Sequence, residues 1–144
     1  MILVDTSVLI DYFKNSGNQK TELFQRILER KLPFGITELI YLELLQEAKN
    51  NRELNLLKEY LKTMIFYTPA KGLTSYEEAA QMYSACRKAG VTVRSTIDVL
   101  IAQISIENGL YLLHNDKDFD TIASVITDLQ ICNSVDFFFF FVIT

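Results

Sequence analysis

Short apolar runs alternate along the chain with longer stretches in which apolar residues recur every three or four positions. Ile2-Leu3-Val4 has nothing polar on either face, the pattern of a strand buried on both sides. A helix follows, capped by Thr6 or Ser7, with Val8, Leu9 and Tyr12 inward. Asn15–Gln19 reads as a loop, and Leu23, Phe24, Ile27 and Leu28 set a helix over Thr21–Arg30. Pro33–Ile36 is a second strand. Thr37 caps a helix running to about Asn50, and another covers about Arg52–Thr63. Met64–Tyr67 is a third strand, stopped by Pro69. Ser75–Ala89 is a helix closed by Gly90. Ser95 caps the next, with Ile97, Leu100, Ile101 and Ile104 on one face and Gly109 at its end. Leu110–Leu113 is a fourth strand, Asp116–Ala123 a short helix and Leu129–Cys132 a fifth strand. Short apolar strands separated by helices predict an α/β sandwich around a parallel sheet.

The predicted organisation is one domain over 1–132 and an apolar tail over 133–144. The tail carries five consecutive phenylalanines, Phe137–Phe141, and is β-prone as a bare peptide. An extra edge strand, a partner surface and an untypical terminus all fit it.

Composition narrows the classes. A length of 144 residues suits one domain, and 49% hydrophobic with 22% charged residues suits a globular one. The longest uncharged apolar stretch, Phe137–Ile143, falls well short of the roughly 20 residues that span a bilayer. Met1–Asp5 has no basic n-region, so neither a membrane span nor a signal peptide is expected. Cys86 and Cys132 set no disulfide framework and no thiolate metal site, and a reducing cytoplasm is the expected compartment. A net charge of −4 argues against nucleic-acid binding on charge alone. The exception is a chain whose carboxylates cluster to hold cations, which makes an acidic pocket a phosphate site. A single histidine, His114, excludes catalytic designs that need two.

Several carboxylates sit where solvated surface is not expected. Asp5 ends the first strand, and Asp116 and Asp118 follow the fourth. Ligands of open parallel sheets bind beyond the carboxyl ends of the strands, so neighbouring strands there would bring these groups together. Helix capping by Asp5 or Asp116 is the competing reading. Glu43 has Leu39 and Ile40 at i−4 and i−3, so it is either paired, cation-bound or on a rim reaching water. Asp98 completes a capping box with Ser95 and also lies at a helix N-terminus that favours anions. Carboxylates crowded in one crevice raise one another's pKa values unless cations join them. Hard divalent ions such as Mg²⁺ or Mn²⁺ meet that need, and such ions clamp a phosphodiester for in-line attack by water. No competing Ser/His/Asp or Cys/His set, phosphate-binding loop or dinucleotide fingerprint is present.

Four segments carry a family resemblance: Ile2-Leu3-Val4-Asp5-Thr6-Ser7, the helix around Glu43, Ile97-Asp98-Val99-Leu100-Ile101-Ala102, and Leu112-Leu113-His114-Asn115-Asp116-Lys117-Asp118-Phe119. Together they resemble the PIN-domain ribonucleases, and within them the VapC toxins of type II toxin–antitoxin modules, over about Ile2 to Cys132. The resemblance implies a three-layer α/β/α sandwich with Asp5 and Asp116 on adjacent strands of a central parallel sheet. It implies Mg²⁺- or Mn²⁺-dependent hydrolysis of RNA, with structured tRNA or rRNA as target and a cognate antitoxin as partner. Asp5, Glu43, Asp98 and Asp116 resemble the acidic metal-binding quartet, and Asp118 the fifth carboxylate of members with two metals. Thr6, Ser7, Thr96 and Asn115 resemble second-shell or phosphate-contacting positions. The residue before Asn115 is usually Thr in this motif and is His114 here.

Two alternatives stand beside this reading. A receiver-like phosphoacceptor or scaffold would want paired acids after the first strand, where Asp5 stands alone, and a Lys at a late strand end, where His114 stands instead. A related structure-specific DNA nuclease generally carries longer insertions. The helices over about Thr37–Thr63 hold more Leu, Ile and Tyr than one buried face requires, which predicts a homodimer and a nearby groove for an antitoxin tail. A basic antitoxin residue such as Arg would enter the acidic crevice and pair with its carboxylates.

Overall fold

The computed structural model describes residues 1–136. The Phe137–Phe141 run, with the three readings open for it, lies outside the described residues.

Five strands form one sheet: β1 (Ile2–Val4), β2 (Phe34–Thr37), β3 (Ile65–Tyr67), β4 (Tyr111–Leu113) and β5 (Gln130–Ile131). Every pairing is parallel, in the order β3-β2-β1-β4-β5. The central strand β1 is fully buried, which is why its residues are apolar on both faces. Seven helices occupy the connections among the described residues: α1 (Thr6–Phe13), α2 (Gln19–Glu29), α3 (Glu38–Gln46), α4 (Asn51–Leu61), α5 (Leu73–Lys88), α6 (Thr96–Glu107) and α7 (Lys117–Val125). Helices α1 to α4 pack on one another, and α5 to α7 do likewise. Crossovers between parallel strands are right-handed as a rule, which puts the first group on one face of the sheet and the second on the other. The result is the three-layer α/β/α sandwich.

The core fills both spaces. Phe24, Ile27, Ile36, Ile40 and Leu61 are fully buried on the side of the early helices, and Ile101, Ile104, Phe119 and Ile122 on the side of the late ones. Gly35 in β2 has a packing reason: a Cβ there would stand 2.5 Å from the Ile65 carbonyl oxygen and 2.7 Å from the Tyr67 ring. Gly90 and Gly109 adopt positive φ after α5 and α6, as helix-closing glycines do.

Boundaries differ from the expected ones in informative places. Asp5, not Thr6 or Ser7, caps α1, its carboxylate accepting from the Ser7 amide. Ser7 is unavailable because its hydroxyl donates to Asp5 and accepts from Asn115. Helix α3 ends at Gln46 rather than near Asn50, because Asn50 caps α4. Asp116 is likewise the cap of α7 rather than its first residue. No helix of the described residues is long and apolar enough to cross a membrane.

Candidate metal centre at the carboxyl edge of the sheet

Chain direction reverses its progress across the sheet between β1 and β4. The chain leaves β1 toward β2 on one side, while β4 pairs on the other. The loops after β1 and β4 therefore diverge and open a crevice at the strands' carboxyl ends. Asp5 and Asp116 enter it from these two loops, and the Asp5 amide donates to the Leu113 carbonyl at 2.9 Å. Asp98 enters from the first turn of α6, where Ser95 caps the helix and accepts from the Asp98 amide. Asp118 comes from the first turn of α7, its amide donating to Asp116 Oδ1 at 2.9 Å. Three helix N-termini thus converge here, and their partial positive charge favours anions.

Asp98, Asp116 and Asp118 each offer a carboxylate oxygen, all within 4.8 Å of one another. Asp5 and Glu43 complete the surroundings. Glu43 reaches in from α3 and accepts from the Thr6 hydroxyl at 3.1 Å. Charge crowding is evident at three of these groups. Burial raises Asp5 above the ordinary 3.8 against the opposing Ser7 bonds, and Asp116 adds to the rise. Glu43 rises through burial and then through Asp5. Asp98 is pushed up to about 7 by burial and by the charges of Asp116, Asp5, Asp118 and Glu43. Capping and clustering coexist, so the two readings of Asp5 and Asp116 were never exclusive.

The surrounding polar residues brace the crevice. Ser7 links its walls: its hydroxyl donates to Asp5 Oδ2 at 2.6 Å and accepts from the Asn115 amide at 2.9 Å. The Asn115 side chain donates to Asp11 Oδ2 at 3.1 Å, so it points along the rim rather than into the cluster. Thr96 is exposed on α6, facing a depression with Tyr76 and Tyr83, and makes no hydrogen bond to the carboxylates among the described residues.

His114 is buried at 2% exposure against Phe119. Its Nδ1 accepts from the Asp116 amide at 3.1 Å, so the neutral ring carries its proton on Nε2. That atom stands 3.3 Å from Asp120 Oδ1, outside good hydrogen-bond geometry. Burial holds the imidazole below its usual 6.5, with Asp120 opposing.

Sequence reasoning missed two groups. Arg94, in the loop before α6, donates to Asp118 Oδ1 through Nε and Nη2 at 3.4 and 3.2 Å. Asp11, on α1, gathers the side-chain amides of Asn18 and Asn115. Nothing in the local sequence distinguishes Arg94 from a solvated loop cation. Asp11 sits i+6 from Asp5, a spacing that carries no helix-face signal.

The donor set is all carboxylate oxygen, hard and anionic, with burial that penalises bare charge. That chemistry fits a hard divalent cation and does not fit a soft one.

Comparison with known proteins bears on family and fold. The PIN domain family model matches residues 2–125. A VapC ribonuclease of Mycobacterium bovis is 35% identical over 131 residues, covering 90% of this chain and 96% of that one. The ribonuclease VapC11 of Mycobacterium tuberculosis matches to the same extent, 35% over 131 residues and the same 90% and 96% coverage. Among solved structures, a DNA-bound VapBC from Salmonella typhimurium superposes with a TM-score of 0.67 at 20% identity, covering 91% of this chain and 96% of that one.

Proposed function

The chain belongs to the PIN-domain family, and from that premise we propose that it is a Mg²⁺- or Mn²⁺-dependent endoribonuclease, the toxin of a toxin–antitoxin pair. The observation that carries the reading is the meeting of Asp98, Asp116 and Asp118 oxygens within 4.8 Å at the sheet's switch point. Asp5, Glu43, Asp98 and Asp116 are the catalytic carboxylates in this reading, and Asp118 joins them as a metal ligand. When bound, the ion supplies positive charge for a phosphodiester oxygen and acidifies a water.

The protein's own part is positioning. Thr6 orients Glu43 and Ser7 orients Asp5, each through a hydrogen bond already formed. His114 accepts the Asp116 amide and so fixes the turn from which that carboxylate projects. Asp98, pushed up to about 7, is the group that releases a proton when a cation enters. The nuclease unit is residues 1–132, it works in the cytoplasm with its buried cysteines reduced, and its substrate is structured RNA of the tRNA or rRNA kind.

The partner reading has its own support. Phe13, Leu42, Leu56 and Tyr60 are exposed by 39, 50, 57 and 45%. Ile10, Phe13, Leu44, Leu56, Leu57 and Tyr60 line a groove of about 520 Å³ between α1, α3 and α4. This face takes the apolar tail of a cognate antitoxin, whose basic residue reaches the carboxylates past Glu43, and a second copy of the chain packs beside it. The curated relatives named VapC ribonuclease, together with solved toxin–antitoxin neighbours, favour this partner class.

The test is digestion of RNA in EDTA and then in excess Mn²⁺, with Asp5→Asn and Asp98→Asn beside the wild type. Cleavage restored by Mn²⁺ in the wild type alone supports the reading. Equal activity in the variants overturns it.

A further inference from the structure

Arg94 is the one cation bonded to the carboxylate cluster among the described residues. Its grip is side-on: Nε and Nη2 both donate to a single oxygen, Asp118 Oδ1. A guanidinium has five donor hydrogens, so most of its donor capacity is not spent on this contact. The two partners are unequally placed. The Arg94 side chain is 75% exposed and that of Asp118 only 11%. The cation lies over the mouth of the crevice, and the carboxylate lies inside it.

An ion pair with so much water around one member is weak and readily exchanged. A divalent cation held by Asp98, Asp116 and Asp118 competes for the same Asp118 charge and repels the guanidinium. Arg94 cannot go far when displaced. Val93 on one side is buried, and Ser95 on the other caps α6. With its backbone anchored, the freed guanidinium stays within its side chain's reach of the crevice mouth, where a polyanion must approach a chain of net charge −4. Guanidinium pairs with phosphate bidentately and strongly, so this is the chemistry required there.

We propose that Arg94 is an exchangeable counter-cation: it holds Asp118 while the carboxylates lack their metal, and releases it for a backbone phosphate of the RNA when they bind one. The proposal rests on the ribonuclease reading and adds to it a substrate-contacting residue.

Its test turns on the opposite signs of two binding constants. Mn²⁺ binding is measured by calorimetry on the full chain and on Arg94→Gln and Arg94→Lys. Binding of a short mixed-sequence single-stranded RNA is followed by fluorescence anisotropy over a range of salt, with Ca²⁺ replacing Mn²⁺ to hold back cleavage. Arg94→Gln should bind Mn²⁺ about 3- to 10-fold more tightly, because a like charge has gone. It should bind RNA about 10-fold more weakly, with the slope of log K against log salt reduced by about 1. Arg94→Lys keeps the charge and should keep both the wild-type Mn²⁺ affinity and the salt slope. Weaker Mn²⁺ binding in Arg94→Gln would mean that Arg94 merely braces Asp118, and would overturn the proposal. So would unchanged RNA affinity, or a wild type with no RNA affinity at all. A wild type that binds the RNA yet never cleaves it in Mn²⁺ counts against the ribonuclease reading alone, and the two constants still decide the exchange.

Discussion

Replacing Asp98 by Asn should stabilise the metal-free protein while abolishing its activity. In the folded chain the Asp98 carboxyl keeps its proton up to about 7, against an ordinary 3.8, through burial and the charges of Asp116, Asp5, Asp118 and Glu43. The folded state therefore binds more protons than the unfolded one between those values. Stability contributed by this group is full below about pH 4 and is lost as pH rises through about 7. At 1.36 kcal/mol per pH unit the ceiling on the loss is about 4 kcal/mol. Water in the open crevice screens part of it, and discounting by half leaves about 2 kcal/mol. Asn has the same shape and no charge to desolvate. In EDTA at pH 8 the variant should melt about 6 °C above the wild type, and the gap should close toward pH 4. Mn²⁺ at about 100 times its Kd should add about 2.7 kcal/mol to the wild type and far less to the variant. Scanning calorimetry at a series of pH values reads all of this. An Asn variant no more stable than wild type in EDTA at pH 8 would refute the crowding argument, as would a gap that ignores pH.

Three further outcomes follow from particular contacts. Gly35→Ala should lower stability by about 2 kcal/mol in denaturant titration, because its Cβ would meet the Ile65 backbone carbonyl oxygen at 2.5 Å and one of the two paired strands must shift; an unchanged midpoint would contradict that packing. His114→Ala removes the acceptor for the Asp116 amide and should weaken Mn²⁺ binding, whereas His114→Asn supplies an oxygen two residues before that amide and should recover most of it, both read by calorimetry. Light scattering at tens of micromolar should show a dimer that Leu56→Lys dissociates. Leu56 is the cleaner probe than Leu45, because Leu45 packs against the core and its replacement would confound folding with association.

Much of this arrangement was legible before any coordinates. The fully apolar Ile2–Val4 run has the pattern of a strand covered on both faces, and the alternation of such runs with helices pointed to a parallel sheet. Convergence of Asp5 with Asp116 needed the rule that parallel sheets bind ligands beyond their carboxyl ends together with the adjacency of their two strands, which the family resemblance implied. The identity of the α1 cap was not legible, since Asp, Thr and Ser all cap, and only the long-range Ser7–Asn115 bond decides among them. The apolar surplus of α3 and α4 was partly misleading: Leu44 and Leu61 belong to the core, while Leu42, Leu56 and Tyr60 remain outside it. Arg94 was invisible because an exposed loop arginine acquires meaning only from the carboxylate that the fold brings beneath it. Thr96, which resembles a second-shell or phosphate-contacting position of the family, faces the α5 side of α6.

The central claim is that these carboxylates hydrolyse RNA through a bound divalent cation. The most direct measurement is mass spectrometry of the ends produced from a defined RNA in Mn²⁺, with Asp116→Asn as control. Attack by water leaves a linear phosphate monoester, made by the wild type in Mn²⁺ and by neither the variant nor the EDTA-treated protein. A 2′,3′-cyclic phosphate formed equally well in EDTA would mean attack by the sugar's own hydroxyl, and would contradict the account.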